Sequence, residues 1–125
     1  MSGGNLTVEL QKVFEEYTAE VKKATNSAAE KVAKESLSKL KNTSPRKTGS
    51  YARGWAIKRE RGLAGINTVT IHNKTDPQLT HLLENGHVVR NKKGTYGRAP
   101  AHKHIQPVEE WANNELPLEI ERELR

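Results

Sequence analysis

Four of the five histidines in this sequence fall in two places where chemistry is conceivable, and one place includes a carboxylate. His81 and Glu84 stand three residues apart, and His87 follows three further on. Residues three apart on a helix are neighbours. His81 and Glu84 would then offer a nitrogen and an oxygen side by side, the donor types that hold zinc. The pattern is not that of a zinc protease, because in H-E-x-x-H the glutamate adjoins the first histidine and the second lies one turn on. Here Gly86 precedes His87 and sits where a helix ends. His102 and His104 alternate, which on a strand would put both on one side. Two histidines without a third suitably spaced ligand do not build a zinc site. The ordinary reading is polar or capping histidines at turns and subunit contacts. There is no cysteine, which excludes disulfides and thiolate sites. A hydrolase needs an activated nucleophile or paired carboxylates. No G-x-S-x-G is present, and the acids cluster near the C-terminus. A nuclease built on His81, Glu84 and His87 would lack nearby acids to hold Mg²⁺. Gly94-Thr-Tyr-Gly97 lacks the G-K-[ST] ending of a phosphate loop. The expectation is no catalytic residue, no cofactor and no bound metal.

The basic residues suggest a different chemistry. Lys and Arg number 21 against 15 Asp and Glu, a net charge of +6, and the pI is about 9.7. Lys92, Lys93 and Arg98 share one stretch with Tyr96, and Arg46, Lys47, Arg53, Lys58, Arg59 and Arg61 surround another. Such side chains neutralise phosphates without reading bases. Aromatic residues make up 5% of the chain, too few for a single-strand stacking platform. No helix-turn-helix or zinc-finger pattern appears. Non-specific contact with double-stranded DNA is therefore the nucleic-acid role left open. The end of the chain is acidic, with Glu109, Glu110, Glu115, Glu119, Glu121 and Glu123. A basic middle and an acidic end suit head-to-tail stacking of subunits in a ring. Glu–Arg pairs within a solvated helix explain the same residues more simply.

These side chains must be positioned by the following elements. Residues 1–5 read as a loose tail. From Leu6 to about residue 42 the pattern is helical, with Leu10, Phe14, Tyr17, Val21, Ala24 and Ala28 on one stripe, continued by Val32, Leu37 and Leu40. Ser27-Ala-Ala-Glu30 has the form of a capping box, which admits a break near Thr25-Asn26. The stretch Thr43–Ile57 is the joint between helical and strand-like sequence. Pro45 cannot continue a helix and pushes Ser44 out of the helical region. Thr48-Gly49 reads as a turn. Trp55–Glu60 and Thr68–His72 read as a hairpin with Trp55, Ile57, Val69 and Ile71 inward. Gln78–Asn85 is a short helix with Leu79, Leu82 and Leu83 at helical spacing, ended by Gly86. His87–Arg90 is a short strand, and Asn91–Arg98 reads as a flexible basic loop. A last helix starts near His104 or Pro107 and carries Ile105, Val108, Trp111 and Ala112 on one face. Pro117 either kinks it or starts a second short helix ending at Leu124.

At 125 residues the chain has the length of one domain. Its parts are residues 1–5, 6–42, 43–103 and 104–125. Apolar residues are 34% and mean hydropathy is −0.83, lean for a domain that buries its own core. Part of the burial is expected against copies of the chain. No apolar run spans a bilayer, and Met1-Ser-Gly-Gly-Asn does not resemble a signal peptide, so synthesis in the cytoplasm and no membrane contact are expected.

Several stretches together resemble one family. They are Ser44-Pro-Arg-Lys-Thr-Gly-Ser-Tyr-Ala-Arg-Gly-Trp55, Gln78-Leu-Thr-His-Leu-Leu-Glu-Asn-Gly-His87 and Pro100-Ala-His-Lys-His-Ile-Gln-Pro107, followed by Glu109-Glu110. In this order and spacing they are similar to the small head–tail joining, or tail-completion, proteins of long-tailed bacteriophages, also described as minor capsid or tail-component proteins. The resemblance covers residues 43–112. It implies an α+β fold: a long N-terminal helix packed on a small antiparallel β-sheet, a short middle helix and a C-terminal helix. It implies a structural and non-enzymatic virion protein, made in the host cytoplasm, that forms a ring at the neck or top of the tail around the DNA channel. Its partners would be copies of itself, neighbouring neck, connector and tail proteins, and packaged DNA. Thr48 and Gly49 match the family's turn. Leu82, Leu83, Glu84 and Gly86 match its short helix, and His104, Ile105 and Pro107 match the start of its last helix. With Pro45 and Trp55 these are fold-keeping positions. Lys92, Lys93, Arg98, Arg46 and Lys47 are the candidates for contact with DNA or an adjoining ring. The competing reading is a free-standing, non-specific DNA-binding accessory protein.

Overall fold

The structure is a computed structural model that describes residues 17–46, 49–91 and 94–125. Its first helix, α1, is Ala19–Thr43. The start is set by Thr18, which is extended and whose hydroxyl accepts the Val21 N–H at 3.2 Å. That bond satisfies a donor for which the helix has no carbonyl. The end is set by Ser44, held at ψ 146° ahead of Pro45. Between these caps the helix is unbroken, so the break near Thr25-Asn26 does not occur. The Thr25 hydroxyl donates back to the Val21 carbonyl at 2.8 Å. Asn26 instead serves another element: its amide donates to Gly65 O at 2.8 Å, and its carbonyl accepts from Asn67 N at 2.9 Å. The buried ridge is Ala24, Ala28, Val32, Ser36 and Leu40, every fourth residue, with Ala33 beside it. The expected stripe does not run straight through Tyr17 into Val21, because the chain leaves the helix at Thr18. Leu10 and Phe14 lie outside the described residues.

A single helical turn not foreseen in the sequence, α2 (Ser50–Arg53), follows the joint. Gly49 opens it at φ 83°, and a Cβ there would run into the Arg53 guanidinium. Strand β1 (Trp55–Glu60) pairs antiparallel with β2 (Thr68–Asn73), as the alternating pattern predicts. Trp55 lies opposite Asn73, Ile57 opposite Ile71, and Arg59 opposite Val69. Helix α3 (Leu79–Asn85) ends at Gly86, at φ 74° and ψ 172°, a region open almost only to glycine. A Cβ at Gly86 would meet the Ala99 carbonyl oxygen at 2.7 Å.

One expectation needs correction here. Asn91 and residues 94–98 are strand and not loop: β3 (His87–Asn91) pairs antiparallel with β4 (Gly94–Ala99) across an irregularity at Val88–Arg90. Ladder bonds use backbone groups that every non-proline residue carries, so a polar, glycine-rich stretch pairs without any alternating pattern. The four described strands form two separate two-stranded sheets, β1–β2 and β3–β4.

Helix α4 (Ile105–Glu123) is continuous, with Pro117 inside it. No second helix begins there. It packs along α1, and Lys31 Nζ bonds Glu119 Oε1 at 2.8 Å across the pair. The core is Leu40, Tyr51, Trp55 and Val108, with Leu37, Ile71, Leu79, Leu83 and Ile105 partly buried against it. Leu82, expected with Leu79 and Leu83, is 40% exposed. Among the described residues no large side chain is completely buried, as the lean composition implies. No described helix is long and apolar enough to cross a membrane.

Candidate functional site

The joint after α1 is closed by side chains from three elements. Trp55 is buried, and its indole N–H donates to Ser44 Oγ at 2.8 Å. The Ser44 hydroxyl in turn donates to the Leu40 carbonyl at 2.5 Å. The strand thereby holds the helix end at the residue that Pro45 displaces. From the other side, buried Asn73 donates to the Tyr51 carbonyl at 2.7 Å, and its own carbonyl accepts the Asp76 N–H at 2.8 Å. Asp76 accepts from the Ser50 hydroxyl at 2.9 Å. Asn73 is the clasp between α2 and the chain leading into α3. Nothing in the sequence set it apart, because its partner is a backbone carbonyl 22 residues away.

The second construction is centred on Glu84. Its carboxylate accepts the backbone N–H groups of His104 at 2.9 Å, Ile105 at 2.8 Å and Gln106 at 2.9 Å. A helix begins with four N–H groups that lack carbonyl partners. Here three go to one carboxylate, and the fourth does not exist because that residue is Pro107. The negative charge also meets the positive end of the α4 dipole. Burial opposes the Glu84 charge. The bonds from Ile105, Gln106 and His104, with the nearby His104 ring, outweigh it and hold the carboxyl below its ordinary range.

His104 is buried and joins the two constructions. Its Nδ1 lies 2.6 Å from the His102 carbonyl and 3.0 Å from Glu84 Oε1. Two acceptors there assign the proton to Nδ1. Nε2 then accepts from the Tyr51 hydroxyl at 2.7 Å. Tyr51, Trp55 and His104 meet edge to face, with ring centroids 5.5–6.3 Å apart. Burial, helped by the Glu84 charge, pushes the Tyr51 hydroxyl up to about 12. That is the wrong direction for a nucleophile or a base near neutral pH. The lone pairs of Glu84 are spent on backbone amides. This Tyr–His–Glu array is suited to hold α3, α4 and the joint together.

His81, Glu84 and His87 are not brought together as ligands. His81 is exposed, and Glu84 faces inward onto α4. Among the described residues no group of three or more His, Asp or Glu is placed to hold a metal. His104, read from the sequence as a turn or contact residue, is instead a core residue. Its role was concealed because both of its side-chain partners, Tyr51 and Glu84, are distant in sequence.

Of the candidate contact residues, Lys47, Lys92 and Lys93 lie outside the described residues, as does Thr48 of the turn. Arg46 is exposed, and its guanidinium donates to the Lys41 carbonyl at 2.7 Å, at the C-terminal end of α1. Arg98 is exposed and donates to the Asn85 carbonyl at 3.2 Å. Lys103 donates to the Asn85 side chain at 2.9 Å. Arg98 and Lys103 therefore converge on the end of α3, while Arg46 is tethered to α1. Arg53, Arg61 and Lys74 form no ion pair among the described residues. Arg59, expected on a wet edge, is engaged by Glu30 of α1 through both carboxylate oxygens. The acidic end is largely paired. Arg122 bonds Glu115 at 2.8 Å and Glu119 at 2.6 Å, and Arg125 bonds Glu121 at 3.2 Å. Hydrogen bonds from Lys31 and then Arg122 lower the Glu119 carboxyl. The pairs within α4 leave less free negative charge than the sequence alone suggests.

Residues 8–86, more than half of the chain, match the family model described as "Bacteriophage HK97-gp10, putative tail-component". The match takes in α1, the joint, the β1–β2 hairpin and α3 with Glu84. No curated protein and no solved structure matches the chain.

Proposed function

Because the chain belongs to the HK97-gp10-like family of bacteriophage tail components, we propose that this virion protein forms a ring at the neck or top of the tail. The ring joins the tail to the DNA-filled head around the DNA channel. The family match over residues 8–86 carries the reading. Two features support the finer part. The core holds no completely buried large side chain among the described residues, so further burial against neighbouring copies is favourable. The exposed Arg46, Arg98 and Lys103 add diffuse positive charge, suited to phosphates and not to base edges. In this reading Arg98, with Lys92 and Lys93, and Arg46, with Lys47, face the channel or an adjoining ring. The protein has no catalytic step to perform.

Electron microscopy of particles from a phage lacking this gene tests the proposal. Filled heads beside separate, complete tails are the expected result. Full heads carrying tails of abnormal length would move the role from joining to tail capping. Normal infectious virions would remove both. The second reading, a free-standing DNA-binding accessory protein, rests on the net charge of +6. It requires salt-sensitive duplex binding by the isolated chain without self-association. Within the ring reading, neutralising Lys92, Lys93 and Arg98 together is expected to reduce infectious yield while leaving the melting temperature of the purified chain unchanged. Full infectivity of that triple variant would eliminate the channel role of these residues.

A further inference from the structure

Helices α1 and α4 pack side by side, and the β1–β2 hairpin lies on α1. Beside β2, the face of α4 made by Ile105, Val108 and Ala112 borders open space and has no strand over it. Three openings run along this side of β2, of about 640, 350 and 250 Å³, and Ile71 borders all of them. Together they form an apolar groove between β2 and α4. Apolar surface left open in this way favours an apolar occupant.

The edge of β2 beside the groove is open as well. The Lys74 N–H donates to the Gly54 carbonyl at 2.9 Å, which sets the phase of the β1–β2 ladder. Antiparallel partners alternate between bonded and non-bonded pairs. The N–H and C=O groups of Val69 and Ile71 therefore point away from β1, and among the described residues no backbone hydrogen bond reaches them. Such an edge is a template for another strand. The chain also carries a strand in need of cover. β3 and β4 pair with each other and make few contacts with the other described elements. A two-stranded hairpin alone is at best marginally stable in water. Val88 of β3 is apolar and 39% exposed. β3 has five residues and β2 six, so their lengths match.

We propose that β3 of one copy adds to the free edge of β2 in the next, carrying Val88 over Val108 and Ala112 and leaving β4, with Arg98, at the outer rim. The product is a four-stranded sheet that covers both helices. Within one chain the two hairpins form separate sheets, so the strand that reaches β2 comes from a second copy. Donor strand and accepting edge are different parts of the chain. The contact is therefore head-to-tail, the type that generates a ring when its rotation closes. It rests on the ring reading above and names the elements that join neighbours.

The natural absence of cysteine permits a direct test. Val88→Cys and Asn113→Cys are made in separate chains; Asn113 is exposed and borders the groove. An equimolar mixture treated with a short bis-maleimide should give a covalent dimer containing one of each, and neither variant alone should give dimers. Dimers formed as readily by Val88→Cys alone would overturn the proposal, since hairpin would then meet hairpin. Sedimentation of the same samples separates this contact from the ring itself. Association without the mixed dimer would overturn the contact and leave the ring reading standing. A chain that stays monomeric would overturn the contact too, with the ring then decided by the deletion phage. As an independent readout, Val88→Asp should weaken association about tenfold, because burying an unpaired charge is costly, without lowering the melting temperature of the monomer. Leu118→Asp, exposed on α4 outside the groove, should leave association unchanged. Unweakened association of Val88→Asp would also overturn the proposal.

Discussion

Replacing Trp55 with alanine is expected to destabilise the fold by about 4 kcal/mol, the usual cost of truncating a buried tryptophan. The indole packs against Leu40, Tyr51, Val108 and His104, and it bonds the Ser44 hydroxyl. Its loss would open a cavity in a thin core and free the end of α1. Stabilities of domains lie at about 5–15 kcal/mol, so this one change removes a large share. Trp55→Phe should cost less, because it keeps ring packing and loses the bond to Ser44, a term of about 1 kcal/mol. Urea denaturation of the three chains checks the order. If Trp55→Ala unfolded at the same denaturant concentration as the unmodified chain, the joint would not be the centre of stability described above.

Removing the Glu84 carboxylate should be nearly as damaging. Glu84→Ala strands the N–H groups of His104, Ile105 and Gln106 at a partly buried helix start. At about 1 kcal/mol for each lost bond, the expected cost is roughly 3 kcal/mol. Glu84→Gln keeps an acceptor oxygen but no charge and should fall between. The pH dependence separates the capping role from mere packing. The Glu84 carboxyl has its folded-state value lowered from the ordinary 4.5. Its contribution is therefore fully present above about 4.5 and is lost as pH falls through the lower folded value. The stability difference between the unmodified chain and Glu84→Gln should be constant near neutrality and shrink in acid. A difference that stayed constant into strong acid would show that charge has no part in the cap.

These two predictions draw on different kinds of legibility. Trp55 stood out in the sequence because it opens an alternating strand just after a proline–glycine joint. Its indole partner, Ser44, was named only as the residue Pro45 displaces. Glu84 was conspicuous for a different reason, its spacing from His81 and His87, and that spacing pointed to ligands the fold does not assemble. The true signal lay at the other end of the bond. The sequence His104-Ile-Gln-Pro107 begins a helix without Ser, Thr, Asp or Asn in the cap position. A helix without a local cap needs a remote one or water.

Local rules decided the caps, the hairpin and the helix ends. Pro45 ends α1, the alternation of Trp55–Glu60 with Thr68–Asn73 places both strands, and Gly86 ends α3. Each depends on neighbours within a few residues, so each was open to a reading of the chain, and the motif order likewise pointed to the phage tail family. Other features depended on partners that are distant in sequence. Asn26 braces a turn about 40 residues on, Asn73 clasps Tyr51, Glu84 caps α4 across 20 residues, and Arg59 meets Glu30. The β3–β4 pairing is likewise invisible in side-chain pattern, because backbone groups make it. Periodicity and capping are properties of the local chain. Which carboxylate meets which helix start is settled only when packing brings them together.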